Sequence, residues 1–260
     1  MREITSKDLK DIRDNFPLDA CLLPPDLSIT PEAAQAFDRL YDAAVEQGPG
    51  AKIDYTLPYP KYLFLEHLAA ARGVLFHGSN NRAIDVLRPI RFTTDSSEFG
   101  NQAAIYATQD PLWAMFFAVL DKTGLLGTSN GAIQVVDQSG ALIRRYYFTL
   151  EANNLRNKPG TPGAMYILPG EGFEPDPQMV GTTAGPYTVQ VTHWIYRGER
   201  TPTARLDVEP QDFPYLDQIW GFDAEAYSRR LSEEFIGGFP FLDDPEVYPI
   251  LPQRPETPGD

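Results

Sequence analysis

The chain has 260 residues, a formal net charge of −14 at pH 7 and a hydrophobic fraction of 42%. This length and hydrophobic content predict a well-buried core and exclude disorder of the chain as a whole. The negative charge argues against non-specific binding to nucleic acid, which needs a basic surface. The sequence has no apolar run of membrane-spanning length, no signal-peptide pattern and a single cysteine, Cys21. These features predict a cytoplasmic protein without disulfides.

The first part of the chain is predicted to be helical. A short helix is expected near residues 6–14, followed by an extended arm. Thr30 and Pro31 are typical of a helix start, because threonine caps the first turn and proline fits the first helical position. A further helix is expected to end at Gly73. Residues 1–72 would then form an N-terminal helical segment.

The middle of the chain combines two short strands with a buried helix. A strand is expected at residues 74–79 and another around Tyr106, with a short helix near 83–87 between them. Asp110 and the proline after it predict the start of a helix that is apolar on all sides and therefore buried against a sheet.

Strands dominate the second half of the chain. Apolar runs of strand length, separated by Gly, Pro and Asn, predict strands at about 131–137, 142–150, 163–168, 187–196 and 203–208. A last helix is expected from about 223 to 235. The Pro-rich tail, residues 237–260, is expected to be extended or disordered. Because helices come first and strands later, the pattern predicts an α+β fold.

Three residues in succession end the strand at 74–79: His77, Gly78 and Ser79. An imidazole can hydrogen-bond a ribose hydroxyl, and a glycine lets the backbone come close enough to pair with a carboxamide. The ring of Tyr106 can stack on a nicotinamide. The pattern predicts half of a pocket for a nicotinamide dinucleotide. The alternative, that His77 and Tyr106 are ordinary packing residues, stays open.

Residues 75–79, taken with residues 105–108, resemble the first two motifs of the ADP-ribosyltransferase fold. The resemblance is to the branch of the poly(ADP-ribose) polymerases and diphtheria toxin, whose signature is His, Tyr, Glu, and it extends over residues 74 to 210. It implies a split β-sheet core at residues 73–236, with NAD as substrate. No metal is expected, because the three histidines lack ligand spacing.

The resemblance also implies roles for the individual residues. His77 would hold the adenosine-side ribose, Gly78 would pair with the carboxamide, and Ser79 would add a further polar contact. Tyr106 would stack on the nicotinamide ring.

The third motif of the family does not match this chain plainly. The strand expected from residue 187 carries His193 and no glutamate. In order of preference, the candidates for the third position are His193, Glu209 and Glu174. A carboxylate would stabilise the oxocarbenium-like centre that forms when nicotinamide leaves. A histidine at this position therefore predicts an altered activity unless another carboxylate fills the role.

The function that the resemblance implies is transfer of ADP-ribose from NAD to a macromolecular acceptor. The acceptor would be a protein or a nucleic acid, and the acidic composition mildly favours a protein. A bacterial toxin or phage-defence effector is the implied setting, with a cognate inhibitor or antitoxin protein as partner. An NAD glycohydrolase and a catalytically silent module that binds NAD or ADP-ribose stay open as alternatives.

Overall fold

The computed structural model describes residues 17–90, 99–123, 125, 127–156, 160–233 and 238–252. The helix expected near residues 6–14 lies outside these ranges. The α-helices are α1 (Pro31–Glu46), α2 (Lys61–Arg72), α3 (Pro111–Val119), α4 (Ala152–Arg156) and α5 (Ala224–Leu231). Short 3-10 helices lie at Leu18–Ala20, Pro210–Asp212 and Leu216–Gln218.

The strands mostly follow the predicted runs. They are β1 (Ala51–Lys52), β2 (Leu75–Ser79), β3 (Ile105–Ala107), β4 (Thr128–Val136), β5 (Leu142–Glu151), β6 (Gly163–Leu168), β7 (Glu174–Pro175), β8 (Thr183–Ala184), β9 (Tyr187–Val189), β10 (Trp194–Tyr196), β11 (Ala204–Val208) and β12 (Trp220–Phe222). The mixture of helices and sheets confirms the α+β class. Within the described part of the chain, no helix is both long and apolar enough to cross a membrane.

The strands form three sheets. Their orders are β1-β11-β6-β2, β3-β10-β7 and β12-β5-β4-β9-β8. Neighbours are antiparallel, except that β1 runs parallel to β11 and β12 runs parallel to β5. The two strands predicted to carry the site, β2 and β3, therefore belong to different sheets.

The helix boundaries follow their predicted caps. The Thr30 hydroxyl accepts a hydrogen bond from the N–H of Ala33 at 3.2 Å, and Asp110 Oδ1 accepts one from the N–H of Trp113 at 3.0 Å. Gly73 ends α2 with a left-handed conformation, φ 60°. Local sequence determines these ends because each cap satisfies backbone groups within its own turn.

The prediction of a short helix at residues 83–87 is wrong. The N–H of Ile84 donates instead to the Tyr166 hydroxyl at 3.0 Å. Leu87 exchanges two backbone hydrogen bonds with Arg200, each 2.9 Å long. Partners distant in sequence therefore take the backbone groups that a helix would have used.

The single strand predicted at residues 187–196 is also wrong, because the chain changes sheets within it. Strand β9 pairs with β4, and the N–H of Gln190 still donates to the carbonyl of Gln134 at 2.8 Å. Strand β10, which follows after four intervening residues, pairs with β3 and β7. Residues 190–193 make the crossing, and His193 lies at its end.

Helix α3 lies against β2 and β6, as expected for a helix that is apolar on all sides. Its close approach depends on two glycines. A Cβ at Gly78 would lie 1.9 Å from the carbonyl oxygen of Ala114, and a Cβ at Gly163 would lie 1.8 Å from that of Ala118. Real Cβ atoms do not approach a backbone oxygen this closely, so the helix packs directly on the bare backbone of the sheet.

The tail prediction does not hold for residues 238–252. Phe241, Leu242, Val247 and Tyr248 are buried in the main hydrophobic cluster. The apolar side chains between the prolines are numerous enough to anchor this segment. The end of the tail, residues 253–260, lies outside the described ranges.

Candidate functional site

Strands β2 and β3 meet at one point and then separate. Phe76 and Thr108 exchange two backbone hydrogen bonds, of 2.8 and 3.0 Å. In an antiparallel ladder the next residues to exchange such bonds would be Gly78 and Tyr106. At this point, however, β2 continues along β6 and β3 continues along β10. We call the space between Gly78 and Tyr106 the strand gap.

The side chain of His77 bridges the strand gap. Its Nδ1 lies 2.8 Å from the carbonyl oxygen of Tyr106, the group that a continued ladder would offer to Gly78. Because a carbonyl only accepts hydrogen bonds, Nδ1 carries the proton and Nε2 is an acceptor in the neutral ring.

The surroundings of His77 favour this neutral form. Burial by the surrounding protein lowers the pKa of His77 below its ordinary value of 6.5. The bond to the Tyr106 carbonyl opposes this shift, and the positive charge of Lys122 adds to it. At pH 7 the ring is therefore uncharged, and its Nε2 can accept a hydrogen bond from a hydroxyl.

Gly78 faces both the strand gap and helix α3. Its N–H and C=O point to the same edge of β2 as those of Phe76, because alternate residues of a strand share an edge. Its Cα faces Ala114 and Ala118 of α3. Helix packing is thus a structural reason for this glycine that the sequence analysis did not identify.

Ser79 ends β2 and orders the turn that follows. Its Oγ accepts a hydrogen bond from the N–H of Asn81 at 3.2 Å. The neighbouring Asn80 side chain donates to the carbonyl of Ala118 at 2.8 Å, which joins the turn to the end of α3. The C-terminal end of β2 is therefore held on the helix.

The ring of Tyr106 is fixed through its hydroxyl. This oxygen accepts a hydrogen bond from the N–H of Gln102 at 2.8 Å, and it lies 2.8 Å from the carbonyl oxygen of Gln102 and 3.3 Å from that of Phe99. The hydroxyl donates to these carbonyls. An aromatic ring held in this way can stack on a ligand at little further cost in conformational entropy.

The structure places His193 beside Tyr106. The two ring centroids are 5.4 Å apart, with planes inclined by 32°. The backbone carbonyl of His193 accepts a hydrogen bond from the N–H of Asp176 at 2.9 Å. Both histidines therefore contact Tyr106. His77 contacts the backbone carbonyl of Tyr106, and His193 contacts its ring.

Glu209 does not lie with His77, Tyr106 and His193. Its N–H donates to Asp212 Oδ2 at 2.7 Å, and its carboxylate lies 3.6 Å from Arg82. It follows β11, which is two strands from β2 in its sheet, or about 10 Å at the usual strand spacing. Distance along the sequence could not reveal this, because the position depends on strand order.

Glu174 lies at the edge of the neighbouring sheet. It belongs to β7 and pairs with Ile195 across the ladder. Its carboxylate is 62% exposed and forms an ion pair with Arg197 at 2.5 Å. It therefore faces solvent rather than the strand gap.

Trp113 is a site neighbour on the helix that was predicted to be buried against a sheet. It is half-buried, its ring centroid lies 5.5 Å from that of His193, and its Nε1 donates to Asn130 Oδ1 at 2.6 Å. The signal for this position was the predicted helix start at Asp110, because it puts residue 113 in the first turn, next to the end of β3.

Asp110 holds the junction of β3 and α3. It is fully buried, and its Oδ2 accepts hydrogen bonds from Tyr146 at 2.7 Å, Gln134 at 2.7 Å and Arg144 at 3.0 Å. Arg144 also binds Glu66 of α2 through two hydrogen bonds, of 2.7 and 2.9 Å. This network fixes the start of α3, and with it the position of Trp113.

The side chain of His77 can accept a hydrogen bond from a hydroxyl, and the backbone of Gly78 can pair with an amide. The ring of Tyr106 can contact a planar ring. These three groups converge on one gap from two different sheets. Comparison of the chain with protein-family models, with curated proteins and with solved structures found no match.

Proposed function

We propose that the chain binds NAD in the strand gap and transfers its ADP-ribose to a macromolecular acceptor. The observation that carries the proposal is the interrupted ladder between β2 and β3. There, the His77 side chain bonds to the carbonyl of Tyr106, and the N–H and C=O of Gly78 face the gap. The core at residues 73–236 would then be an ADP-ribosyltransferase fold. The acidic chain, with a net charge of −14, favours a protein as acceptor.

Each group in the gap suits a different part of NAD. The carboxamide has one acceptor and two donors, which match the N–H and the C=O of Gly78. A ribose hydroxyl can donate to Nε2 of His77, which is an acceptor because Nδ1 is bonded to Tyr106. The nicotinamide ring would lie against the fixed ring of Tyr106.

The transfer breaks the bond between the nicotinamide nitrogen and C1′ of the ribose. Nicotinamide leaves with the electron pair of that bond, and C1′ becomes positively charged. A nucleophile of the acceptor then forms the new bond at C1′ and loses its proton to a base. Gly78 and Tyr106 would hold the leaving ring, while His77 would orient the adenosine-side ribose.

A second candidate function is binding of NAD or ADP-ribose without turnover. The surroundings of Glu174 and Glu209 favour it, because the Glu174 carboxylate pairs with Arg197 and that of Glu209 lies 3.6 Å from Arg82. A carboxylate is the group that would stabilise the positive C1′. A third candidate is NAD hydrolysis, in which water is the nucleophile.

Incubation with NAD labelled in its adenylate half, with and without a cell extract, separates these functions. Transfer predicts a labelled macromolecule, and hydrolysis predicts free ADP-ribose with nicotinamide. A silent module predicts bound but intact NAD. Loss of labelling is expected in His77→Ala but not in the control His67→Ala, whose imidazole lies 3.0 Å from Asp38. Intact NAD that is neither bound nor consumed would refute all three candidates.

A further inference from the structure

The end of strand β7 places a carboxylate beside His193. Pro175 pairs with Trp194, and the N–H of the next residue, Asp176, donates to the carbonyl of His193 at 2.9 Å. Asp176 therefore lies opposite His193, and opposite residues of an antiparallel pair project to the same face of the sheet. The contact between the rings of His193 and Tyr106 shows that these two side chains share a face. Asp176 thus lies on the face that carries both of them.

The carboxylate of Asp176 is buried but has few partners. The residue is 8% exposed, and its Oδ1 accepts a hydrogen bond from the N–H of Gln178 at 2.9 Å. Within the described part of the chain, its Oδ2 has no hydrogen bond and no ion pair. Asp110, the other buried aspartate among the described residues, accepts four hydrogen bonds and pairs with Arg144. Asp176 therefore keeps one oxygen for a further partner.

The two glutamates predicted for the third position differ from Asp176 in this respect. Glu174 forms an ion pair with Arg197, and the carboxylate of Glu209 lies 3.6 Å from Arg82. A carboxylate that already has a cationic partner attracts a further positive charge less strongly, because the two charges of the pair act in opposite directions. The unpaired carboxylate of Asp176 is thus better suited to a new positive charge.

The proposed position of NAD directs C1′ towards this part of the sheet. Gly78 would hold the carboxamide from β2, and the nicotinamide ring would lie against Tyr106. Because the carboxamide faces β2, the ribose on the ring nitrogen would extend over β10. The ring of Tyr106 already reaches His193 at 5.4 Å, and Asp176 lies one strand beyond it, about 5 Å at the usual strand spacing.

We propose that Asp176 is the carboxylate that stabilises the positive C1′ when nicotinamide leaves. The inference rests on the proposed function and adds a catalytic residue to it. His193 occupies the position at which the resemblance implies a glutamate, and Asp176 supplies the negative charge from across the ladder. In this step the bond between C1′ and the nicotinamide nitrogen breaks, and its electron pair goes to nicotinamide. Asp176 forms no bond and exchanges no proton.

Asp176→Asn tests the charge and preserves the turn. The amide oxygen of asparagine can still accept the hydrogen bond from Gln178, but the negative charge is lost. We expect the release of nicotinamide from NAD, measured with the full chain and a cell extract, to fall about 100- to 1,000-fold. In a calorimetric titration the dissociation constants of NAD and ADP-ribose should change less than about twofold, because the charge at C1′ develops only as the bond breaks.

Three further variants distinguish this role from a structural one. Asp137→Asn changes another turn aspartate, whose Oδ1 accepts a hydrogen bond from the N–H of Ser139 at 2.8 Å, and should keep the wild-type rate. Glu174→Gln removes the neighbouring carboxylate and should also keep it. Adding His193→Glu to Asp176→Asn should restore part of the rate, because it puts a carboxylate on the same face one strand away.

The outcomes separate this inference from the proposed function. A wild-type rate in Asp176→Asn would overturn the assignment, and so would a loss of NAD affinity as large as the loss of rate. A wild-type protein that binds NAD but releases no nicotinamide would refute the catalytic role and leave NAD binding in the strand gap standing. If the wild type binds neither NAD nor ADP-ribose, the proposed function itself fails. Thermal unfolding of each variant confirms that its fold is retained.

Discussion

Replacing Asp110 with alanine should lower the free energy of unfolding by about 3–5 kcal/mol. The side chain is fully buried and accepts four hydrogen bonds, one from the first turn of α3 and three from side chains of β4 and β5. Its removal leaves the buried Tyr146 hydroxyl and Gln134 amide without this acceptor. It also removes the helix cap. Urea unfolding followed by circular dichroism measures the effect.

Asp223→Ala is the matched control for this prediction. Asp223 also caps a helix, since its side chain accepts a hydrogen bond from the N–H of Ala226 at 2.8 Å. Loss of a cap alone costs about 1 kcal/mol. The difference between the two variants isolates the buried network from the cap. Equal losses for Asp110→Ala and Asp223→Ala would show that the network contributes nothing to stability.

Replacing Gly78 with alanine should lower the free energy of unfolding by about 3 kcal/mol. The new methyl group would lie 1.9 Å from the Ala114 carbonyl oxygen and 2.8 Å from the Ala118 nitrogen, both of them backbone atoms of α3. The helix would have to move away from β2, because neither atom belongs to a flexible side chain. Thermal and urea unfolding of the variant measure the loss.

Two further glycines provide the controls. Gly163→Ala should lower the free energy of unfolding as much as Gly78→Ala, because its methyl group would lie 1.8 Å from the Ala118 carbonyl oxygen. Gly127→Ala should change stability little, since the nearest atom, in the ring of Phe222, lies 3.9 Å away. If Gly78→Ala unfolds at the same urea concentration as Gly127→Ala, the close packing of α3 on the sheet is incorrect.

The sequence was sufficient for features that neighbouring residues determine. The helix starts at Thr30 and Asp110 and the helix end at Gly73 were predicted correctly, because each cap bonds within one turn. The strand that carries His77 and the strand that carries Tyr106 were also predicted correctly. Each of these hydrophobic patterns is local, because it lies within the strand itself.

Features that depend on the choice of partner could not be predicted. Residues 187–196 contain no Gly, Pro or Asn that would divide them, and nothing in this stretch marks the crossing between two sheets that ends at His193. The glycine at position 78 indicated that its backbone lies close to another group. Whether that group is a ligand or helix α3 depends on the tertiary structure. Likewise, hydrogen bonds to Tyr166 and Arg200 form where a short helix was predicted at residues 83–87.

The candidate site shows the same division. His77, Gly78 and Tyr106 could be grouped from their order along the chain, because adjacent strands commonly pair. Glu209 could not be placed, because its distance from His77 depends on the order of four strands in one sheet. The contact of Trp113 with His193 joins a helix start to a sheet crossing, and no periodic pattern links two such positions.

The central claim is that the strand gap binds NAD, and a crystal structure with a non-cleavable carbocyclic analogue of NAD tests it most directly. We expect the carboxamide to lie within hydrogen-bonding distance, about 2.9 Å, of the N–H and C=O of Gly78. We also expect a ribose hydroxyl to donate to Nε2 of His77 and the pyridinium ring to lie against Tyr106. An analogue bound elsewhere on the chain, or a strand gap closed by backbone pairing between Gly78 and Tyr106, would contradict it.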